Sequence, residues 1–257
     1  MCFDRLLRVL LFAFCSAALA LPARAETAGE VLIAVGDVSA KRAGRPLRLS
    51  PKTAIESGDQ IRTGAESNVQ IRFTDTGLVS IRSHSDFVID EYSYKGRDKA
   101  FFSLLKGGAR FVTGLIGRSD QRDYMVRVPT AVVGIRGTHF SLVVCRGECR
   151  DSDGKPAAEG LYGGVIEGRI AVTPAGNKAL EREFGAGEFF HLANANSAPA
   201  PLSAPPAFLD DKLDKPARHA RKKDVEIGDR PNATGKADPG AAPPRDAGRP
   251  SAPPPKR

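Results

Sequence analysis

Apolar and polar residues alternate along most of this chain in short runs. Val31-Leu32-Ile33-Ala34-Val35 comes first, running with a turn to Val38; Ile61-Arg62, Val69 to Phe73 and Leu78 to Arg82 follow. Phe87 to Tyr94, Ala100 to Leu105, Ala109 to Thr113 and Tyr124 to Val128 continue the pattern. Tyr162 to Val172 and Phe184 to Leu192 close it. Alternation with period two puts one set of side chains on each face of a strand. The breaks are turn formers: Ser57-Gly58-Asp59, Thr63-Gly64, Asp75-Thr76-Gly77, Gly107-Gly108 and Gly114 to Gly117. No window carries a long apolar repeat of period 3.6, so little helix is expected. The pattern predicts an all-β domain of many short strands.

The most informative stretch is Val126 to Val144, VRVPTAVVGIRGTHFSLVV. Its alternation and β-branched residues predict strand. Pro129 lacks an amide hydrogen and suits a strand start or an edge. Gly134 and Gly137 bracket Arg136 and permit a bulge or bend. The expectation is a strand, a corner and a strand. Arg136, Thr138 and His139 are its candidate binding or structural residues. The Arg136 guanidinium has the donors to brace several carbonyls at a bend. The alternative is that Arg136 and His139 line a ligand or partner surface.

A second regularity is Ile-Arg at 61-62, 71-72 and 81-82. If the copies sit on successive strands, the isoleucines face the core and Arg62, Arg72 and Arg82 share the other face. A row of like charges is unfavourable without acidic partners or a bound anion. The plainer reading is that each arginine is simply solvated.

Both ends differ from the middle. Arg5 and Arg8 precede the apolar run Val9 to Leu21, and Ala23-Arg24-Ala25 follows. This is the pattern of a cleaved secretory signal, with the mature chain starting near Glu26. The run is short for a membrane span. From Asn194 onward Pro, Ala, Gly and charges dominate, which predicts a disordered tail over 194–257. Phe208, Leu209 and Leu213 are the residues there that suit a docking turn. The formal net charge is +8 over 257 residues, and the segment from Asp210 holds 12 basic and 8 acidic residues. The basic balance therefore sits largely in the tail, including Arg218 to Lys223. A nucleic-acid partner for the folded part is not expected.

Export leaves Cys145 and Cys149, an even pair in an oxidising compartment, which reads as a disulfide. With His139 they make an incomplete set for tetrahedral zinc. Thr138 and His139 are neighbours, so on a strand they point to opposite faces and cannot act as nucleophile and base. No Gly-x-Ser-x-Gly elbow, Walker loop, dinucleotide fingerprint or His-Glu-x-x-His occurs. Neither an enzyme nor a cofactor is expected.

Several of these segments, in this order, resemble the extracytoplasmic domains of FecR-type proteins. Val35-Gly36-Asp37-Val38 is similar to the family's opening. Ser57-Gly58-Asp59-Gln60-Ile61-Arg62-Thr63-Gly64 resembles its Gly-Asp signature, and Ser67 to Asp75 the strand that follows. Leu105 to Phe111, Pro129 to Phe140, Val165 to Val172 and Gly185 to Glu188 continue the resemblance to about Phe190. It implies a β-rich, solenoid-like domain for sensing and protein contact, with a β-sandwich as the alternative architecture. It brings no catalytic residues. The family's regulators join such a domain to a cytoplasmic anti-sigma segment through one membrane span. This chain reads instead as a signal peptide (1–25), a FecR-like domain (26–193) and the tail. The expected role is an exported binding module, periplasmic or secreted, in envelope sensing. The alternative is a structural envelope component binding an anionic polymer.

Overall fold

The computed structural model describes residues 26–119 and 122–209. The expected signal peptide and the tail beyond Leu209, with Leu213 and the basic run at 218–223, lie outside these residues. Among them are fifteen strands, a four-residue helix and two 3-10 turns, so the fold is all-β. The strands are β1 (Thr27–Val35), β2 (Val38–Arg42), β3 (Arg45–Arg48), β4 (Ala54–Glu56) and β5 (Gln60–Thr63). Next come β6 (Asn68–Phe73), β7 (Leu78–Ile81), β8 (Asp86–Ser93), β9 (Lys99–Val112) and, after helix α1 (Ile116–Ser119), β10 (Tyr124–Val128). The chain continues with β11 (Ala131–Cys145), β12 (Gly160–Pro174), β13 (Arg182–Gly185), β14 (Phe189–Leu192) and β15 (Ala200–Leu202). The 3-10 turns span Lys178–Leu180 and Ala207–Leu209. No helix among the described residues is long and apolar enough to cross a membrane.

All fifteen strands join one open, mixed sheet. Its main path runs β15-β14-β12-β11-β10-β9-β7-β6-β1-β4, with β3-β2-β5-β8 attached through β9 and β13 through β12. Pairing is antiparallel except between β9 and β10. The order is not that of a regular coil: β5 lies between β2 and β8, away from β6.

Three long strands, β9, β11 and β12, change partners along their length. The first half of β9 runs between β8 and β10, and its second half between β7 and β11. The change falls at Gly107, whose φ is +78°. A Cβ there would stand 2.3 Å from Ser85 Oγ and 2.7 Å from Ser85 Cα. The matching corner in β11 and β12 is a double bulge at Gly137 (φ +55°) and Gly168 (φ +81°). A Cβ on Gly168 would lie 2.2 Å from the Gly137 carbonyl oxygen. Only glycine accepts both that backbone angle and that approach. The expected corner is therefore at Gly137, while Gly134 sits in regular ladder opposite Ala171. Pro129 lies in the tight turn between β10 and β11, where Val128 and Ala131 pair. Val126 to Val144 is thus a hairpin followed by a corner.

The alternation seen in the sequence maps directly onto burial. Ile61, Ile71 and Ile81 are fully buried, and Arg62, Arg72 and Arg82 point away from the core. The core holds Phe87, Phe102, Phe111, Phe140, Phe184 and Phe190, all at most 1% exposed. Phe111 stacks on Phe140 with centroids 4.7 Å apart, joining β9 to β11. Phe102 meets Phe73, Phe87 and Tyr124 at 5.2–5.5 Å. Each such pair adds about 1 kcal/mol beyond the area it buries.

The fold runs past the expected boundary at residue 194. Ala200–Leu202 forms β15 against β14, and Ala207–Leu209 packs on the sheet with Leu209 buried.

Candidate functional site

The registers of β6, β7, β9, β11 and β12 define an outer face of the sheet. On these strands Ile71, Ile81, Ala109, Phe111, Phe140 and Leu142 are in the core. Their chain neighbours therefore point away from it. Three rows of side chains result. In the first, Gln70 is opposite Ser80, Ser80 opposite Arg110 and Arg110 opposite Ser141. In the second, Arg72 is opposite Leu78, Leu78 opposite Val112 and Val112 opposite His139. The third runs Gly108, Val143, Tyr162 and His191, with Arg82 bonded to Gly108 through its backbone amide at 2.9 Å.

The first two rows meet at Arg110 and His139. Arg110 Nε donates to His139 Nε2 at 2.6 Å, and both side chains are half-buried. Gln70 donates to Ser80 Oγ at 3.2 Å beside this pair. Val112 and Ile166, 37% and 53% exposed, bring apolar surface to the same neighbourhood. The arrangement offers donors, acceptors and apolar contacts on backbone held by the ladder on both sides. It suits recognition of another surface.

The predicted site residues separate. His139 belongs to this face. Thr138, its neighbour, points inward and is 3% exposed. Its hydroxyl lies 3.0 Å from the Arg136 carbonyl and 2.8 Å from that of Arg169. Its amide donates to Thr113 Oγ1 at 2.9 Å, and the Thr113 amide returns a bond to its carbonyl at 3.1 Å. The brace at the corner is therefore a buried threonine. The expectation that Arg136 reaches the carbonyls there does not hold: its side chain is exposed and hydrogen-bonds to none of the described residues. Arg136 stands opposite Arg169 in the register, and the Arg118 side chain lies near Gly137.

Arg62, Arg72 and Arg82 form no ladder, because β5 is not next to β6. Arg62 pairs with Asp86 at 3.1 Å and Arg72 with Glu30. Arg72 borders an open groove of roughly 500 Å3 lined also by Thr27, Lys52, Thr74 and Thr76. Arg82 donates to the carbonyls of Phe208 and Leu209. On the β6–β7 hairpin Arg72 is opposite Leu78, whereas Arg82 lies one residue past Ile81, four residues along the strand. That is about 13 Å, so the two charges are not neighbours.

Cys145 and Cys149 form a disulfide with Cα atoms 5.6 Å apart. Both are buried, in a second apolar cluster with Val143, Tyr162 and Leu209.

Two buried acids that the sequence reading did not single out hold the rest together. Asp59, fully buried, takes two bonds from Arg42, at 2.8 and 2.7 Å, and one from the Glu56 amide at 3.0 Å. The bond to Asp59 is the main reason the Arg42 guanidinium is held above its ordinary pKa. Asp75 accepts from the Gly77 amide, the Tyr92 hydroxyl and the Ile116 amide, at 3.0, 3.0 and 3.2 Å. Burial pushes the Tyr92 and Tyr124 phenols up, and the Asp75 charge adds to both shifts. Asp59 lies in the Gly-Asp turn visible in the sequence. Nothing in the spacing marks Arg110 as the partner of His139.

Residues 59–169 match the model of the family described as FecR protein. No curated protein matches the chain. Two crystal structures of a protein described as a "putative anti-sigma factor", from Parabacteroides distasonis ATCC 8503, are similar in fold at 14% and 16% identity. Their TM-scores are 0.41 and 0.42, and each comparison covers 56% of this chain. The chain spans 58% of the length of those structures. The family match begins at the buried Asp59, takes in the Arg110–His139 face and ends at Arg169, the bulge partner of Arg136. The segment from Asp59 to Arg169 is thus the part of the chain that is similar to the FecR family.

Proposed function

We propose that this protein is an exported, non-catalytic interaction module of FecR type, working in envelope sensing or signalling. The observation that carries the reading is the outer face itself: Gln70, Ser80 and Arg110 in register, His139 bonded to Arg110 from the next row, and Val112 and Ile166 exposed beside them. The FecR match supports a role in contact. The two fully buried carboxylates, Asp59 and Asp75, are engaged in hydrogen bonds that hold the fold, which argues against acid–base work. A partner would be a folded envelope protein that meets a flat, mixed surface.

The test is capture from an envelope extract on immobilised protein, wild type against Arg110→Glu and His139→Ala. A partner retained by wild type and by Lys178→Glu, yet lost by both face variants, is expected. Retention by all four would remove the face from the proposal. Export is tested separately, by mass spectrometry of envelope material: a mature start near Glu26 is expected, and an intact Met1 would overturn it.

A second reading, contact with an anionic polymer, has one observation in its favour. Arg136 and Arg169 are directly opposite in the ladder, and since Arg169 already pairs with Glu183 at 3.2 Å, a bound anion would chiefly relieve Arg136. Sulfate should then raise the melting temperature more than chloride at equal ionic strength, and Arg136→Gln should abolish the difference. Equal effects of the two salts would end this reading.

A further inference from the structure

The turn Ala207–Leu209 is tied to the sheet at three points. Arg82 donates from one terminal nitrogen to the Phe208 carbonyl and from the other to the Leu209 carbonyl, the latter at 3.1 Å. The Phe208 ring meets Tyr162 edge-on, with centroids 4.9 Å apart and planes at 87°. Leu209, 6% exposed, packs in the cluster formed by Val143, Tyr162, Cys145 and Cys149. So the bridge that closes a tiny loop after β11 also forms part of the wall around a side chain far along the sequence.

Cys149 is not on a strand of the sheet. Its loop turns at Gly147 (φ +93°); the Ala157 amide donates to the Cys149 carbonyl at 3.0 Å, the Arg146 amide to Glu148, Arg150 bridges to Pro156, and the Arg146 guanidinium reaches the Leu105 carbonyl of β9 at 3.1 Å. The disulfide is the covalent link that holds the Cys149 side chain over β11.

We infer that the Cys145–Cys149 disulfide latches the Pro206–Leu209 segment to the sheet, and that reduction releases the segment and uncovers the third row of the outer face. The reductant is a dithiol. One of its thiolates attacks one sulfur of the bridge, giving a mixed disulfide and a free cysteine thiol. Its second thiol displaces the other cysteine. Two electrons and two protons pass to Cys145 and Cys149, and the dithiol leaves as a disulfide. Release exposes Val143 and Tyr162 and ends the hold of Arg82 on the two carbonyls. This holds whatever the face binds.

The coupling is reciprocal. Both cysteines are buried, at 1% and 7% exposure, in the cluster that Leu209 completes and Phe208 packs against. The closed segment therefore shields the bridge, just as the bridge steadies the segment. Two measurements on the full-length exported protein test this. Chymotryptic cleavage after Phe208 is compared before and after dithiothreitol, and in Cys145→Ser/Cys149→Ser. Cleavage should rise about tenfold on reduction, as expected for a segment that opens locally without global unfolding. Separately, the rate at which dithiothreitol reduces the bridge is compared in wild type, Leu209→Ala and Arg82→Gln. It should rise about tenfold in both variants while amide exchange in β9 and β12 stays unchanged. The second arm needs no cysteine variant, so a double serine protein that fails to fold does not blunt the test. Equal cleavage in both redox states, or equal reduction rates in all three proteins, would overturn the inference.

Discussion

Arg42 and Asp59 show how much one residue pair contributes here. The carboxylate has no exposure to water, and the guanidinium that meets it also reaches Glu56 and the Ala54 carbonyl, at 2.7 and 2.8 Å. Replacing Asp59 with Asn removes the buried one of the two carboxylates that Arg42 meets, leaving Glu56, and should lower stability by about 2 kcal/mol. Urea unfolding monitored by circular dichroism measures it. The tyrosines give a pH prediction. Tyr92 and Tyr124 have pKa values raised above the ordinary 10.0, chiefly by burial. Up to about pH 10 the folded and unfolded chains both hold these protons, and stability is indifferent to pH on their account. Above it the unfolded chain releases them and the folded chain retains them, so stability falls as pH rises. Tyrosinate absorbance from these two residues should appear together with loss of the β spectrum, and Tyr92→Phe should move that transition to higher pH.

Element by element, the sequence was most legible where a strand's two faces differ. Ile61, Ile71 and Ile81 could be placed in the core from alternation alone, and Gly137 could be read as a corner. The partners of the arginines could not. Arg82 bonds to carbonyls 126 and 127 positions away, and Arg110 to a histidine 29 away. No local pattern encodes such contacts, because register is a property of two strands together. The disulfide was legible because its closure is local, whereas the packing of Leu209 against it was not. Corner glycines can be tested one by one. Gly168→Ala meets both a positive φ and the Gly137 carbonyl, and should cost about 3 kcal/mol. Gly187 has a similar φ of +82° with nothing within 4 Å. Gly187→Ala should cost only about 1 kcal/mol. Thermal melts of the two variants side by side separate conformational strain from collision.

For the whole molecule, composition misplaced the end of the fold. Residues 194–209 are rich in Pro and Ala, and a segment with few apolar side chains was expected to gain too little to order itself. Yet β15 takes its order from backbone pairing, with Pro201 on an edge strand where its missing amide hydrogen costs nothing to the ladder. Leu209 then supplies one well-buried side chain. A chain ending at Ala193 should therefore be less stable than one ending at Leu209 by at least ~2 kcal/mol, the contribution of a buried leucine. Guanidinium titrations of the two chains decide it. Equal midpoints would return the boundary to where composition put it.

The long strands that turn at their glycines have a calorimetric consequence. β9, β11 and β12 each run unbroken through both halves of the sheet, so neither half owns a complete set of hydrogen-bonding neighbours. An opening that frees one half must strip pairing from strands on which the other depends. Such a molecule has no seam along which to come apart in stages. Heated in a scanning calorimeter, residues 26–209 should absorb heat in a single peak, with the enthalpy from its area equal to the enthalpy from its sharpness.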